Sequence, residues 1–548
     1  MEGKNMRIKY TMFMLAAILA ACTNEPLPET IVEEVPESYT LVVTATKGDD
    51  DTTKALSLDG KTLNATWAKG DAVQVYHVSN PGTMMEMEST TPDATLTAQG
   101  SGMTTTLSGS FTGSYTPAVG DVLRLRFLPN PDYTTQEGTL DYIATHCDYA
   151  VATITVASVD ALTSTVTATA PASFENQQAI IKFSLKQPDG TTPLPVTSLT
   201  VNVGSTTYNV TPPAASSDIY VAVKKTSNKT VTLRATDGTD FFRYEKTGVS
   251  FAVGKYYAIG VKMFSLNLST LTSDFTAQDG DVLTGSLSGN YKVSIADGAT
   301  VTLGGVTING TNDYSYKWAG ITCLGDATIV LADGTTNSVK GFVDYYPGIL
   351  PAVGKTLTIE GTGSLTASSN GKAAGIGSGE ISCGNIHIKS GTINATGEKA
   401  CAGIGSGNNE DVTCGTITIS GGNVTAIGGE SSAAIGCGMG GNCGNILIEG
   451  GTIVATAADS NRSTCIGTRN GTCPSVIFTR GITRMTLSNA DKLGIADFIC
   501  ASNEMMADTY NLYEIRGNAV NWLNYYGTDF TELFKNWSFS TGVWVIAP

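Results

Sequence analysis

One stretch limits what this chain can fold into more than any other. Between Leu357 and Phe478 the segment Leu357-Thr358-Ile359 returns as Ile386-His387-Ile388, Ile417-Thr418-Ile419, Ile446-Leu447-Ile448 and Val476-Ile477-Phe478, at steps of 29, 31, 29 and 30 residues. A second apolar register keeps pace at Leu365, Ile393, Val424 and Ile453, and a third at Ile376, Ile404, Ile435 and Ile466. Three short β-type segments in each fixed period are the pattern of a solenoid coil. No such coil buries a core alone. Stacking turns the inward Ile, Leu and Val into continuous ladders, with neighbouring strands about 4.8 Å apart. Glycines fall where the chain turns between faces, because positive φ costs them least.

Fainter repeats precede these. Val301-Thr302-Leu303, Ile329-Val330-Leu331 and Leu357-Thr358-Ile359 follow one another at steps of 28, with Ile321 and Ile349 in the third register. The spacing predicts a parallel β-helix of about seven coils, with a half-coil at Val293-Ser294-Ile295. It is expected to be right-handed, as crossovers between parallel strands nearly always are.

The 548 residues suffice for roughly three or four domains. Their formal net charge of −16 argues against nucleic acid and anionic lipid as partners, since both need a basic surface. Lys4, Arg7 and Lys9 precede an apolar run, residues 12–19, too short to cross a bilayer. Leu19-Ala20-Ala21-Cys22 then matches a bacterial lipobox, which implies removal of residues 1–21 and diacylation of Cys22. The alternative is an uncleaved signal with an idle cysteine. Thr23 carries no inner-membrane retention mark, so an outer-membrane lipoprotein at the cell surface is expected. Residues 22–38, rich in Pro and Glu, read as a flexible tether.

Four of the other cysteines, Cys383, Cys414, Cys443 and Cys473, share one register at steps of 31, 29 and 30. They read either as disulfides between adjacent coils or as a ladder of buried thiols. Three His and no Cys-x-x-Cys speak against zinc.

From Tyr39 the pattern changes to two-residue alternation. Residues 41–45, 73–76, 122–127, 150–157, 180–185, 199–203, 219–223 and 230–234 read as short strands between turn signals, with Arg124 and Arg126 on one face. This suggests two β-sandwiches, 39–165 and 166–263, before the β-helix of 264–490 and a C-terminal cap of 491–548. The cap includes a short helix at 529–537 and a last strand at 543–546.

The element Thr66-Trp67-Ala68-Lys69-Gly70-Asp71 leading into a strand resembles the fimbrillin-like lipoproteins of Bacteroidetes. So do Phe174-Glu175-Asn176-Gln177-Gln178-Ala179 and the closing Val253-Gly254-Lys255-Tyr256-Tyr257. The resemblance covers roughly 20–263, and the repeats resemble a β-helix extension found on some members. It implies an all-β chain of two transthyretin-like sandwiches followed by the solenoid, with adhesin or pilus-associated duty. It also implies processing after a basic residue, for which Lys47 and Lys54 are candidates. The alternative is a solvated lysine at a strand end. A large C-terminal solenoid suits a pilus tip or stand-alone surface protein better than a repeating shaft subunit.

Chemistry is sparse. Gly436-Cys437-Gly438-Met439-Gly440-Gly441 matches G-x-G-x-x-G, but Gly375–Gly379 and Gly403–Gly407 mark the same turn in other coils. Between Phe264 and Asn461 there is no arginine, and Glu360, Lys389, Ser420 and Glu449, at equivalent outward positions, form no carboxylate pair. A polysaccharide lyase or hydrolase needs such groups, so no catalytic residue, cofactor or metal is expected. Trp318 and Tyr346 stand three residues before Ile321 and Ile349, and should stack on adjacent coils, with Tyr314, Tyr316 and Tyr345 nearby. Flat aromatic faces beside Asp and Asn suit sugar rings, although an aromatic stack also simply covers a coil edge. The expected partners are glycans or surface proteins, host or bacterial, and other fimbrillins. The alternatives are a polysaccharide-active enzyme and a structural spacer.

Overall fold

The computed structural model describes residues 38–47, 57–59, 62–112, 114–458, 463–468 and 471–488, with strands Asn511–Arg516, Ala519–Leu523 and Val543–Ala547. Cys22, Lys54, the signal, the tether and the helix expected at 529–537 lie outside the described residues.

The first unit grows from alternation. Leu41, Val43 and Ala45 on one strand, and Leu123, Leu125 and Phe127 on another, point into a core shared with Trp67, Val73, Leu96 and Leu107. Where the sequence suggests two facing sheets, the strands hydrogen-bond into one. Its order is Thr165–Ala168, Thr40–Thr46, Thr104–Ser110, Ala94–Ala98, Ala72–Ser79, Val122–Phe127 and Ala150–Asp160. The last strand also pairs with the first, so the sheet closes on itself. Thr165–Ala168 makes the closure by pairing on both sides, which leaves no open edge there.

The second core collects residues from two sheets. Ile181, Phe183 and Val221 belong to a three-stranded sheet, and Leu199, Val201, Tyr208, Leu233 and Phe242 to a six-stranded one. Tyr133 and the helix Leu140–His146 also pack here, through Ile143 and Ala144. Ala172 and Phe174 return to the first core, so the chain visits the second core before completing the first. The Thr139 hydroxyl caps the helix by accepting the Tyr142 N–H.

Two buried charge clusters hold the units together. Lys47, at the end of its strand, is 2% exposed, and its Nζ donates to Asp148 Oδ2 at 2.5 Å. It lies 3.6 Å from the Phe127 ring centroid, and Gln178 Nε2 donates to the other Asp148 oxygen. This corrects the expectation of a solvated strand-end lysine. The ammonium is held by a carboxylate 101 residues away in sequence, so its local neighbours do not reveal its burial. Farther along, fully buried Asp281 of the solenoid receives Arg243 and, at 3.6 Å, Arg234 from the six-stranded sheet.

The solenoid core runs from Leu266 to Leu487. One face is an eight-stranded parallel sheet that starts at Phe275–Ala277 and includes Val293–Ile295, Ile321–Cys323 and Ile349–Leu350. The coils therefore begin before Val301. Ile321, Ile349, Ile376, Ile404, Ile435 and Ile466 pair in succession, as their spacing predicts. Leu357, Ile386, Ile417, Ile446 and Val476 do likewise. One upstream step differs. Ile329 pairs with Ile359, and Ala327 with Leu357, so the expected match of Ile329 to Leu357 is two residues out. A two-residue slip keeps every side chain on its own face, so the apolar pattern alone does not fix this step.

Polar groups stitch the turns. Asp279, Asp297 and Asp326 each accept a backbone N–H from the following coil, at Thr300, Asp326 and Thr356. Lys355 bridges Asp297 and Asp326 at 3.6 and 3.2 Å. Gly377, Gly405 and Gly436 sit at one corner with φ of 139°, 138° and 133°. In each case the next coil's glycine carbonyl occupies the place of a Cβ. At the far end, Val543–Ala547, the expected last strand, pairs antiparallel with Val476–Ser488 and with Asn511–Arg516. This closes part of an otherwise open strand edge.

Candidate functional site

The turns that precede the third register stack along one edge. The first holds Asp313, Tyr314, Tyr316 and Trp318, between Thr307–Asn309 and Ile321–Cys323. The second holds Phe342, Asp344, Tyr345 and Tyr346, before Ile349–Leu350. The third and fourth bring Lys372 and Lys399.

Trp318 does not stack on Tyr346 as expected. Its ring packs 5.8 Å from Phe342 and 5.4 Å from Tyr316, and the Phe342 N–H donates to the Trp318 carbonyl. Phe342 is buried and carries no hydroxyl, whereas Tyr346 is half exposed, so the indole packs against the phenyl ring. Trp318 and Tyr316 thus pack over Phe342 at the coil edge.

Beside them lies a polar, aromatic shelf. Tyr314 is 58% exposed, with its hydroxyl 3.4 Å from Asp344 Oδ2. Lys399 Nζ approaches the same oxygen at 4.0 Å. Asp344 Oδ1 is buried without a hydrogen-bond partner. Lys372 Nζ lies 3.4 Å from the Tyr345 hydroxyl and 5.3 Å from its ring centroid. Burial and then the Glu380 charge push the Tyr346 hydroxyl above the usual range, so it stays a neutral donor. The edge thus gathers ring faces, one carboxylate and two cations. Sequence reading named the three tyrosines. It missed Asp344, Lys372 and Lys399, although Lys372 directly precedes Ala373, the counterpart of Tyr346 in the next coil.

The cysteine register is inward. Cys383, Cys414, Cys443 and Cys473 are buried, and all nine described cysteines are free. Cys437 joins them, with its Sγ 2.9 Å from that of Cys443. Cys437 follows Gly436 as Ser378 and Ser406 follow Gly377 and Gly405, so it is a sulfur in a serine register. Lys389 pairs with Glu360 at 3.2 Å on the outward row. Among the described residues no group of three or more His, Cys, Asp or Glu is placed to hold a metal ion. Among them, too, no helix is long and apolar enough to cross a membrane.

Residues 357–380, 386–408 and 417–439 match the family model described as Beta helix repeat. These coils are β-helix repeats. Solved structures similar to the chain include bacterial fimbrial and adhesion proteins. A fimbrial protein from Bacteroides ovatus shares 12% identity at a TM-score of 0.23, over 42% of this chain and 49% of that one. The chain thus spans about half the length of that protein. A proposed cell adhesion protein from Bacteroides uniformis shares 15% at 0.24, over 41% and 95%. A fimbrial assembly protein from Parabacteroides distasonis shares 12% at 0.23, over 41% and 90%. No curated protein matches the chain.

Proposed function

We propose that this chain is a surface-displayed lipoprotein adhesin whose β-helix carries a glycan-binding edge. The observation that carries the reading is the partly exposed Asp344 carboxylate, flanked at Oδ2 by exposed Tyr314 and by Lys399, with the Lys372–Tyr345 pair on the same turns. A sugar hydroxyl would donate to Oδ2 of that carboxylate, the oxygen that Tyr314 and Lys399 flank, while a C–H face lies on a tyrosine ring. The anchor is the lipobox cysteine, Cys22. The reading contains no catalytic step, and glycans of host or bacterial origin fit it equally.

The test is a glycan array with the purified chain beside Tyr314→Ala and Asp344→Asn. Selective retention that falls about tenfold in each variant, the loss of roughly one good polar contact, is the expected result. Retention that survives both substitutions removes the site, and no retention by the parent protein removes the glycan. A structural spacer is the second reading, favoured by the way Trp318 and Tyr316 pack over Phe342.

A further inference from the structure

Six described large hydrophobic side chains are at least 66% exposed: Met84, Met85, Met87, Val119, Leu162 and Val353. Five of them belong to the first unit, and the strand register places those five at one pole. Val78 pairs with both Val122 and Glu88, so the hairpin tip bearing Met84, Met85 and Met87 projects beyond the end of Ala72–Ser79. Val119 lies just before Val122. Thr155 pairs with Val122, so Ala150–Asp160 runs toward this same end, and Leu162 turns there into Thr165. Thr165 pairs with Thr40, where the chain enters the unit.

The opposite pole has a different character. There Val73 meets Phe127, Phe127 meets Ala150, and the Lys47–Asp148 pair leads into the second unit. The apolar pole is thus the one that the segment from Cys22 reaches first, and the pole that leads on to the solenoid is the other.

We propose that this apolar pole rests on the lipid surface that holds the anchor, with its methionine hairpin dipping among zwitterionic headgroups. The proposal rests on the lipoprotein reading above. Exposed apolar patches of this kind mark interaction surfaces, and methionine side chains adapt to irregular apolar surroundings. The charges beside the hairpin are already satisfied. Glu86 and Glu88 pair with Arg124, and Glu88 with Arg126. Asp160 accepts the N–H groups of Leu162 and Thr163. Asp121 accepts from Ala118 and the Tyr115 hydroxyl. With Glu86 and Glu88 offset by two arginines, the hairpin meets zwitterionic lipid without uncompensated charge of its own. The first unit then stands on the bilayer, and the order of the chain carries the solenoid outward.

The methionines are their own reporters, because peroxide converts an exposed thioether to a sulfoxide and leaves a buried one alone. The purified protein is treated with hydrogen peroxide, free and on phosphatidylcholine vesicles, and sulfoxide is read by mass spectrometry. Met439, half exposed on the solenoid, is the internal control. Vesicles are expected to slow oxidation of Met84 and Met85 about fivefold while Met439 reacts at its free rate. Equal rates at all three would overturn the contact. Protection that appears without vesicles and grows with protein concentration would assign the pole to a second copy instead. Intact mass separates the two failures. A chain without diacyl mass sinks the anchor, whereas a diacylated chain with unprotected methionines sinks only the pole. The variant Met84→Ser/Met85→Ser/Met87→Ser leaves array retention unchanged, which keeps this test apart from that of the glycan edge.

Discussion

The Lys47–Asp148 pair offers a quantitative test of how the first two units are joined. Its ammonium has lost its water and keeps one carboxylate and two aromatic rings, Phe127 at 3.6 Å and Trp67 at 5.3 Å. Removing one partner of such a pair leaves a buried charge uncompensated, at a cost of about 3–5 kcal/mol. In Lys47→Met the orphan is Asp148, which keeps only the Gln178 amide. The ring contact adds about 1 kcal/mol to the loss, so a total of about 4–6 kcal/mol is expected. Asp148→Leu strands the ammonium instead and should cost about 3 kcal/mol. The double variant carries no charge to strand. It should lie within about 1 kcal/mol of the parent protein, which makes the coupling at least about 6 kcal/mol. Hydrogen exchange of the Thr40–Thr46 amides, followed by mass spectrometry, reads the local opening free energy of the strand that Lys47 terminates. Single losses that simply add in the double variant would refute the reasoning, because additivity means the two groups do not share a desolvated site.

Asp281→Ala should cost about 3 kcal/mol by stranding Arg234 and Arg243 where the solenoid meets the six-stranded sheet. It should also open residues 264–281 to limited proteolysis while amide protection at Ile404 and Ile417 stays unchanged; loss of protection there would mean that the pair supports the coils themselves. The Cys323 thiol, buried among the coils, is pushed by burial from 9.0 up to about 12. A folded value above the unfolded one gives stability that is intact below pH 9 and is lost as pH rises toward 12, since only the unfolded thiol ionises in that window. Between pH 9 and pH 11 the parent should lose about 2 kcal/mol that Cys323→Ala does not. Parallel curves in urea titrations at the two pH values would contradict this.

The ladders were legible because each inward position must be apolar and must recur once per coil. Ile376, Ile404, Ile435 and Ile466 satisfy both demands, and their pairing follows. The step from Ile329 was not legible, because Leu357 and Ile359 face the same way and only hydrogen bonding separates them. Ring packing at the edge was half legible. Tyr314 and Tyr345 fall where the spacing puts them, but Phe342 lies outside the repeated register and takes the indole from Tyr346. Lys47 was opaque for a different reason. Its partner lies beyond eight strands and a helix, and a strand-end lysine reads as solvated until that distant carboxylate is brought beside it. The closure of the first sheet hides in the same way, since Thr165–Ala168 looks like any short strand until both of its neighbours are placed.

The glycine corner at Gly377, Gly405 and Gly436 bears on how such a chain changes over generations. Each glycine leaves room for the carbonyl of the next, so a side chain at any one of them would disturb the coil after it as well. Point substitution is therefore closed at this corner. Duplication of a whole coil is open, because a new coil brings its own glycine and offers the same carbonyl to its neighbour. Length in this molecule is heritable in steps of one coil, and lineages carrying the same corner are expected to differ in the number of coils far more readily than in the residue that turns them.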